Sequence, residues 1–292
     1  MPKLSSGYIA TIAAATIWGV NSTMVQWLIA NRRINIEWLV TVRLMIPGLI
    51  LLLVYSFSKN TDAVFSIWNN KKDAIAIIIF GICFIGVQYT FFAAIKESNA
   101  ATATIIQFSA PVMIAIYNAL VGKKMPGAKE LIAMILAMGG IFLLATKGDI
   151  STLSLTPVAL AWGLSSAFTL AFYSIQPVRL LHKYKANLVV GWGMLIGGAL
   201  LGLVHAPWNI DGDWDAVTYS FVGFIILFGG LVAFSLFLRA LKLIGGYRAT
   251  LLTSVEPLIT TIIAITLLNV SFGPVEMVGG VMILSTIFLL SE

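Results

Sequence analysis

Two ionisable residues of opposite sign stand inside long apolar runs, Arg43 within 35–57 and Glu256 within 246–269. In a bilayer such a charge costs at least about 2.5–3.5 kcal/mol, so it faces a cavity or a partner. The planar guanidinium of Arg43 suits a carboxylate. The Glu256 carboxyl suits an ammonium group, or serves as the coupling group that carries a proton. The bland alternative for both is an interhelical ion pair that holds a bundle together. Polar and aromatic side chains recur at similar depth: Trp18, Asn21, Gln88, Tyr89, Gln107, Trp162, Ser166 and Tyr173. A cavity with aromatic walls and a few amides and hydroxyls suits a zwitterion or a flat heterocycle. Taken singly, each Ser or Gln is better explained as interhelical glue, worth about 0.6 kcal/mol.

Four prolines interrupt the same runs, Pro47, Pro111, Pro177 and Pro257. A proline inside a helix frees the carbonyl four residues earlier and invites a kink. The freed carbonyls belong to Arg43, Gln107, Tyr173 and Thr253, so the kinks point at polar interior positions and are candidate hinges. No Walker A, GxSxG, HExxH or CxxC motif is present, so neither nucleotide hydrolysis nor a metal or other cofactor is expected. Cys83 is the single cysteine, and His182 and His205 make no metal pair.

The elements that must position these residues follow from composition. Of 292 residues only 10% are charged and 59% are hydrophobic, with mean hydropathy +0.97. A soluble domain carries about 25% charge. A soluble enzyme, a secreted disulfide scaffold and a disordered chain are excluded. Ten segments are long enough to span a bilayer: 7–29, 35–57, 73–95, 98–121, 127–146, 155–180, 187–206, 217–241, 246–269 and 273–291. They are continuously apolar, which argues against a β-barrel. The net charge of +6 reads as membrane topology rather than nucleic-acid binding. With the N-terminus inside, twelve basic loop residues fall on the cytoplasmic side: Lys3, Lys59, Lys71, Lys72, Lys123, Lys124, Lys129, Arg179, Lys183, Lys185, Lys242 and Arg248. Only Arg32, Arg33, Lys96 and Lys147 fall outside. The bias places both termini in the cytoplasm of a multi-pass plasma-membrane protein. Glu130 and Glu276 fall in first helical turns, where a carboxylate complements the helix dipole.

The chain also repeats itself. A shift of 146 lays Lys96 on Lys242, Ala103-Thr104 on Ala249-Thr250, Pro111 on Pro257 and Glu130 on Glu276. A shift of 144 lays Trp18-Gly19 on Trp162-Gly163 and Ser22 on Ser166. Each half, 1–150 and 151–292, then holds five helices. Five is odd, so the second half enters the membrane inverted, a recurring design of secondary transporters with a midplane site. Glycine pairs such as Gly139-Gly140, Gly197-Gly198, Gly229-Gly230 and Gly279-Gly280 are places where helices can approach closely.

The order of Trp18-Gly19-Val20-Asn21-Ser22, Arg43, Pro111 and Glu256-Pro257 resembles the drug/metabolite transporter superfamily, EamA type. The resemblance implies an all-α membrane fold of ten transmembrane helices in two inverted five-helix repeats. It also implies a carrier of small metabolites, often an exporter of amino acids or related compounds. The second half departs from the symmetric pattern. No arginine there answers Arg43, and Ala110 stands where the second half has Glu256, so any site is asymmetric. The expected function is alternating-access export of a small polar or amphipathic, amino-acid-like metabolite. The partners are that substrate, membrane lipid and the proton as candidate coupling ion, with no nucleic acid, in a monomer or weak dimer. A multidrug cation exporter of the same fold is the alternative, and a lipid flippase is a further one.

Overall fold

The computed structural model describes residues 2–59, 64–122, 127–149 and 154–290. Lys123 and Lys124 lie outside the described residues, as do the side chains of Lys3, Lys59, Glu130, Lys242 and Arg248. The described chain is helical with no strand: α1 (Pro2–Arg32), α2 (Ile36–Lys59), a 3₁₀ turn (Ser66–Asn69), α3 (Lys71–Glu97), α4 (Ala100–Gln107), α5 (Ala110–Gly122), α6 (Ala128–Thr146), α7 (Pro157–Ile175), α8 (Val178–Lys183), α9 (Ala186–Gly202), α10 (Ala216–Phe224), a π-helical segment (Ile225–Val232), α11 (Ala233–Leu252), α12 (Val255–Leu267) and α13 (Pro274–Leu290). Among the described residues six stretches are long and apolar enough to cross a membrane: Ser5–Arg32, Ile36–Phe57, Lys71–Glu97, Ala100–Val121, Pro157–Lys183 and Ala216–Ala240. Four shorter apolar helices accompany them, Leu131–Thr146, Ala186–Gly202, Val255–Leu267 and Pro274–Leu289.

Local chemistry sets many of the ends. Side chains of Asn70, Asn99, Thr156 and Asp215 accept from the first free N–H groups of α3, α4, α7 and α10, as N-caps do. Arg33, Lys147 and Asn269 take positive φ of 52°, 52° and 53° just past α1, α6 and α12, closing those helices in the left-handed manner.

The halves are joined by antiparallel helix pairs. Along α2 and α9, Met45 meets Gly198, Gly48 meets Leu195 and Leu52 meets Gly191. Along α6 and α13, Gly139 meets Met282, Gly140 meets Gly279 and Gly148 meets Val275. These are repeat-equivalent helices, so their opposed directions are what an inverted repeat requires. The other contacts come in exchanged pairs. Helix α1 packs on α11 and α12, while α7, its counterpart in the other half, packs on α3 and on α4 and α5.

Both proline-bearing segments differ from uninterrupted spans. Segment 98–121 breaks at Phe108–Ser109, and the second-half segment breaks at Thr253–Ser254. Under the 146-residue shift the two breaks fall within one residue of each other. Pro111 and Pro257 are therefore not kinks inside helices. They stand in the first turns of α5 and α12, where a missing N–H costs nothing. Glu256, expected near the middle of a helix, is instead in the first turn of a half-helix. Pro177 likewise follows the end of α7 and precedes α8, whereas Pro47 remains inside a continuous α2. The connection expected near 242–245 is helical through Leu252. The chain still reverses there: Phe234 lies against Trp18, Ile244 against Gly7, and Ile259 against Gly19, back at the starting level.

A side chain at Gly48 would stand 2.6 Å from the backbone nitrogen of Leu195. Gly48→Ala should therefore cost about 1–3 kcal/mol, read as a lower melting midpoint in detergent. Gly223→Ala, with nothing within 4 Å, should be neutral or slightly stabilising. Asp215 caps α10 by accepting from the Thr218 N–H and hydroxyl, and it pairs with Arg32 at 2.7 Å. The Thr218 N–H and then the Arg32 guanidinium hold its carboxyl down at about 2. A depressed carboxyl stabilises the fold above its unfolded value and loses that contribution as pH falls through the folded one. The melting difference between wild type and Asp215→Asn should be constant above about pH 5 and vanish as pH drops to about 2.

Candidate functional site

At the end of the bundle that carries Arg32, the tips of α1, α2, α3 and α7 enclose a cavity of about 600 Å³. Its rim carries Arg33, Lys96, Glu97 and Asp211, all exposed. Seven residues deeper along α3, about 10 Å by helical rise, its floor is built from Tyr89 and from Trp162 of α7. These rings meet edge-on, centroids 5.8 Å apart and planes at 79°. The Tyr89 hydroxyl donates to Glu37 Oε1 at 2.9 Å. The wall is fixed by the connection that follows α9. Gly212 has φ +93°, which side chains disfavour, a Cβ there would also lie 2.5 Å from the Arg32 carbonyl oxygen, and the Asp213 N–H donates to that same carbonyl. Trp38, which sequence position suits to an interface belt, is buried and donates to the Pro207 carbonyl.

Deeper still, the π-helical segment gathers three of the expected site residues. Such segments are rare and are frequent at functional sites. Trp18 donates its indole N–H to the Gly229 carbonyl at 3.1 Å and packs against Phe234 and Phe237. Asn21 abuts Gly229 so closely that a Cβ there would lie 2.4 Å from its Oδ1, and Oδ1 has no hydrogen-bond partner. Gly230 lies over Pro47 and the Arg43 carbonyl that Pro47 frees. The Arg43 guanidinium is buried over the Phe92 ring, 5.0 Å from its centroid, and Nε and Nη1 have no partner. Glu256, whose carbonyl backs onto Gly19, is the oppositely charged residue singled out with Arg43. No ion pair joins the two among the described residues.

Ser166 of α7 is fully buried with its hydroxyl oxygen unpartnered. Each buried polar group without a partner costs about 1–3 kcal/mol. Native folds keep few of them without a reason. Gln88 is buried on α3, and Gln107 is buried as the last residue of α4, beside the break. Tyr173 is placed apart from the others. It stacks on Phe80 at 5.2 Å and stands edge-on to Phe84 at 4.9 Å, toward the opposite end. Of the ten residues singled out from the sequence, Tyr89 and Trp162 reach the cavity.

At that opposite end, polar contacts run between the repeats. Asp73 in the first turn of α3 is buried, and its carboxylate receives Arg179 at 2.8 Å, Lys183, and the Tyr184 hydroxyl at 2.9 Å. Gln176 donates to the Ala76 carbonyl at 2.8 Å one turn further in. In the sequence Arg179 and Lys183 carry only a topological signal. Sequence reading also passes over Glu37, whose one sign is an acidic residue in a first turn, and the π-helical segment, hinted at by the Gly229-Gly230 pair alone.

The profile of the EamA-like transporter family matches this chain twice, over residues 5–146 and 157–292. An inner membrane transporter of Salmonella typhimurium (strain LT2), YicL, described as uncharacterized, is 37% identical over 295 residues, covering 100% of this chain and 97% of its own. The uncharacterized transporter YwfM of Bacillus subtilis (strain 168) is 24% identical over 284 residues, covering 96% and 92%. A solved crystal structure with 15% identity superposes with a TM-score of 0.63 over 98% of this chain and 96% of its own, a likeness of fold. With a bundle of antiparallel repeat pairs and two matches that together take in nearly every residue, the chain is a multi-pass membrane protein and belongs to the EamA-like transporter family.

Proposed function

We propose that the chain is a ten-span secondary carrier, with halves 1–150 and 151–292, that works by alternating access and exports a small amino-acid-like metabolite. The observation that carries this reading is one-sidedness. A cavity of about 600 Å³ opens at the Arg32 end, while Asp73, Arg179, Lys183 and Tyr184 clamp the other. The basic-residue bias puts both termini in the cytoplasm of the plasma membrane, which makes the open end the outer one. The substrate passes outward from the unpartnered Arg43 guanidinium, which takes a carboxylate, to the cavity floor. Glu256 takes the ammonium group or the coupling proton. The other expected side chains, Trp18, Asn21, Gln88, Gln107, Ser166 and Tyr173, line or support the route. Paired breaks in equivalent helices are the usual address of a transporter's midplane site. Here Pro111, Pro177 and Pro257 at the breaks, with Pro47 against the π-helical segment, serve as hinges.

Counterflow of labelled amino acids in proteoliposomes tests the carrier. Arg43→Gln should lower it at least about tenfold, equivalent to 1.4 kcal/mol, with expression intact. Glu256→Gln should remove the response to an imposed proton gradient. Flux unchanged in both variants would make the two charges structural. The clamp has its own test, a Cys83→Ser, Ala93→Cys protein labelled by an impermeant maleimide from the cavity side. Adding Asp73→Asn should shift the population toward the inward-open state and reduce labelling several-fold. Unchanged labelling would remove the clamp from the gating cycle.

A further inference from the structure

The cavity floor holds a carboxylate that nothing neutralises. Glu37 accepts from the Tyr89 hydroxyl through Oε1, and among the described residues no cation lies within ion-pair distance of it. The other charges of the cavity, Arg33, Lys96, Glu97 and Asp211, stand exposed at the rim. Asp211 has His205 at 3.6 Å, charged only when that ring is protonated. The innermost charge is thus negative, partly withdrawn from solvent, and bordered by the Tyr89 and Trp162 rings. Aromatic faces attract cations, by about 0.5–1 kcal/mol at exposed sites and about 2 or more when desolvated. A carboxylate held in place by a phenol adds a charge-assisted hydrogen bond.

We propose that Glu37, Tyr89 and Trp162 form a binding site for an organic ammonium group. It is the first stop for a substrate from the cavity side and, where Glu256 releases cargo outward, the last. The chemistry is shared by a free amine and by the ammonium end of a zwitterion. The Tyr89 hydroxyl orients the carboxylate, and the two rings sort cargo for a flat or apolar body next to the amine. The inference rests on the carrier reading for its role in transport, though not for binding itself.

Binding is therefore measured without flux, by calorimetry on the detergent-purified chain. The probes are phenethylammonium, its neutral isostere 2-phenylethanol, the anion 3-phenylpropionate, and phenylalanine. Phenethylammonium should bind at least about tenfold more tightly than 2-phenylethanol, a gap of 1.4 kcal/mol. Glu37→Gln should erase that gap, and Glu37→Asp should restore part of it, which separates lost recognition from lost folding. Tyr89→Phe should weaken ammonium binding less than Glu37→Gln. If phenylalanine binds more tightly than phenethylammonium and Arg43→Gln reverses the order, the ligand is a zwitterion. The opposite order in wild type makes it a bare organic cation. Equal binding of amine and alcohol, an unaffected Glu37→Gln, or no binding of any probe would overturn the site. Ammonium binding that needs Glu37 in a chain with silent counterflow would leave the site standing and overturn the carrier.

Discussion

Hydrocarbon offers no hydrogen bonds, so every backbone N–H and C=O at membrane depth must be satisfied by the protein or by a water-lined cavity. The continuous helices of this chain follow from that requirement, and so does the placement of its exceptions. The breaks at Phe108–Ser109 and Thr253–Ser254 are both stitched by short-range backbone bonds. The Ser109 N–H donates to the Ile106 carbonyl, and the Glu256 N–H donates to that of Thr253. Irregular backbone of this kind is tolerated where protein surrounds it. Helix α4 is buried along its whole length, and α12 packs against α1 and α4.

Glycine lets the helices meet closely enough to shield these groups. With lipid on the outside there is little hydrophobic gain from joining one helix to another, so contact depends on van der Waals packing and polar bridges. Gly140 and Gly279 each approach the other's carbonyl, and along α2 and α9 Gly48 approaches the backbone of Gly191 and Leu195 while Gly198 approaches that of Met45. These contacts lie between repeat-equivalent helices running in opposite directions. One end carries the polar cluster on Asp73 and the other a cavity.

Polar groups are spent unevenly between these two ends. The Asp73 cluster is saturated with donors from the other half. Between it and the cavity lie Arg43, Asn21 and Ser166 with unpartnered atoms. Satisfied groups hold an arrangement, whereas unsatisfied ones in a dry interior stay costly until something supplies their bonds.

Sequence alone determined what depends on composition, periodicity and internal likeness. The lipid solvent, the helical class, the two-fold repetition and the family resemblance all follow from runs of apolar residues and from the order of Trp18-Gly19, Arg43, Pro111 and Glu256-Pro257. Tyr89 and Trp162 were legible for the same reason, as polar-tipped aromatics inside apolar runs. Tertiary structure decided which polar residues meet. Glu37 and Tyr89 are 52 positions apart, and Asp73 and Lys183 are 110 apart, so no local spacing announces either pair. It also decided that Pro111 and Pro257 start half-helices, because a proline in an apolar run is compatible with a kink or a break until neighbours satisfy the freed groups. The π-helical segment belongs to the same class. Its eight apolar and glycine residues are consistent with an ordinary helix, and only the approach of Trp18, Asn21 and Pro47 to Gly229 and Gly230 gives that backbone its place.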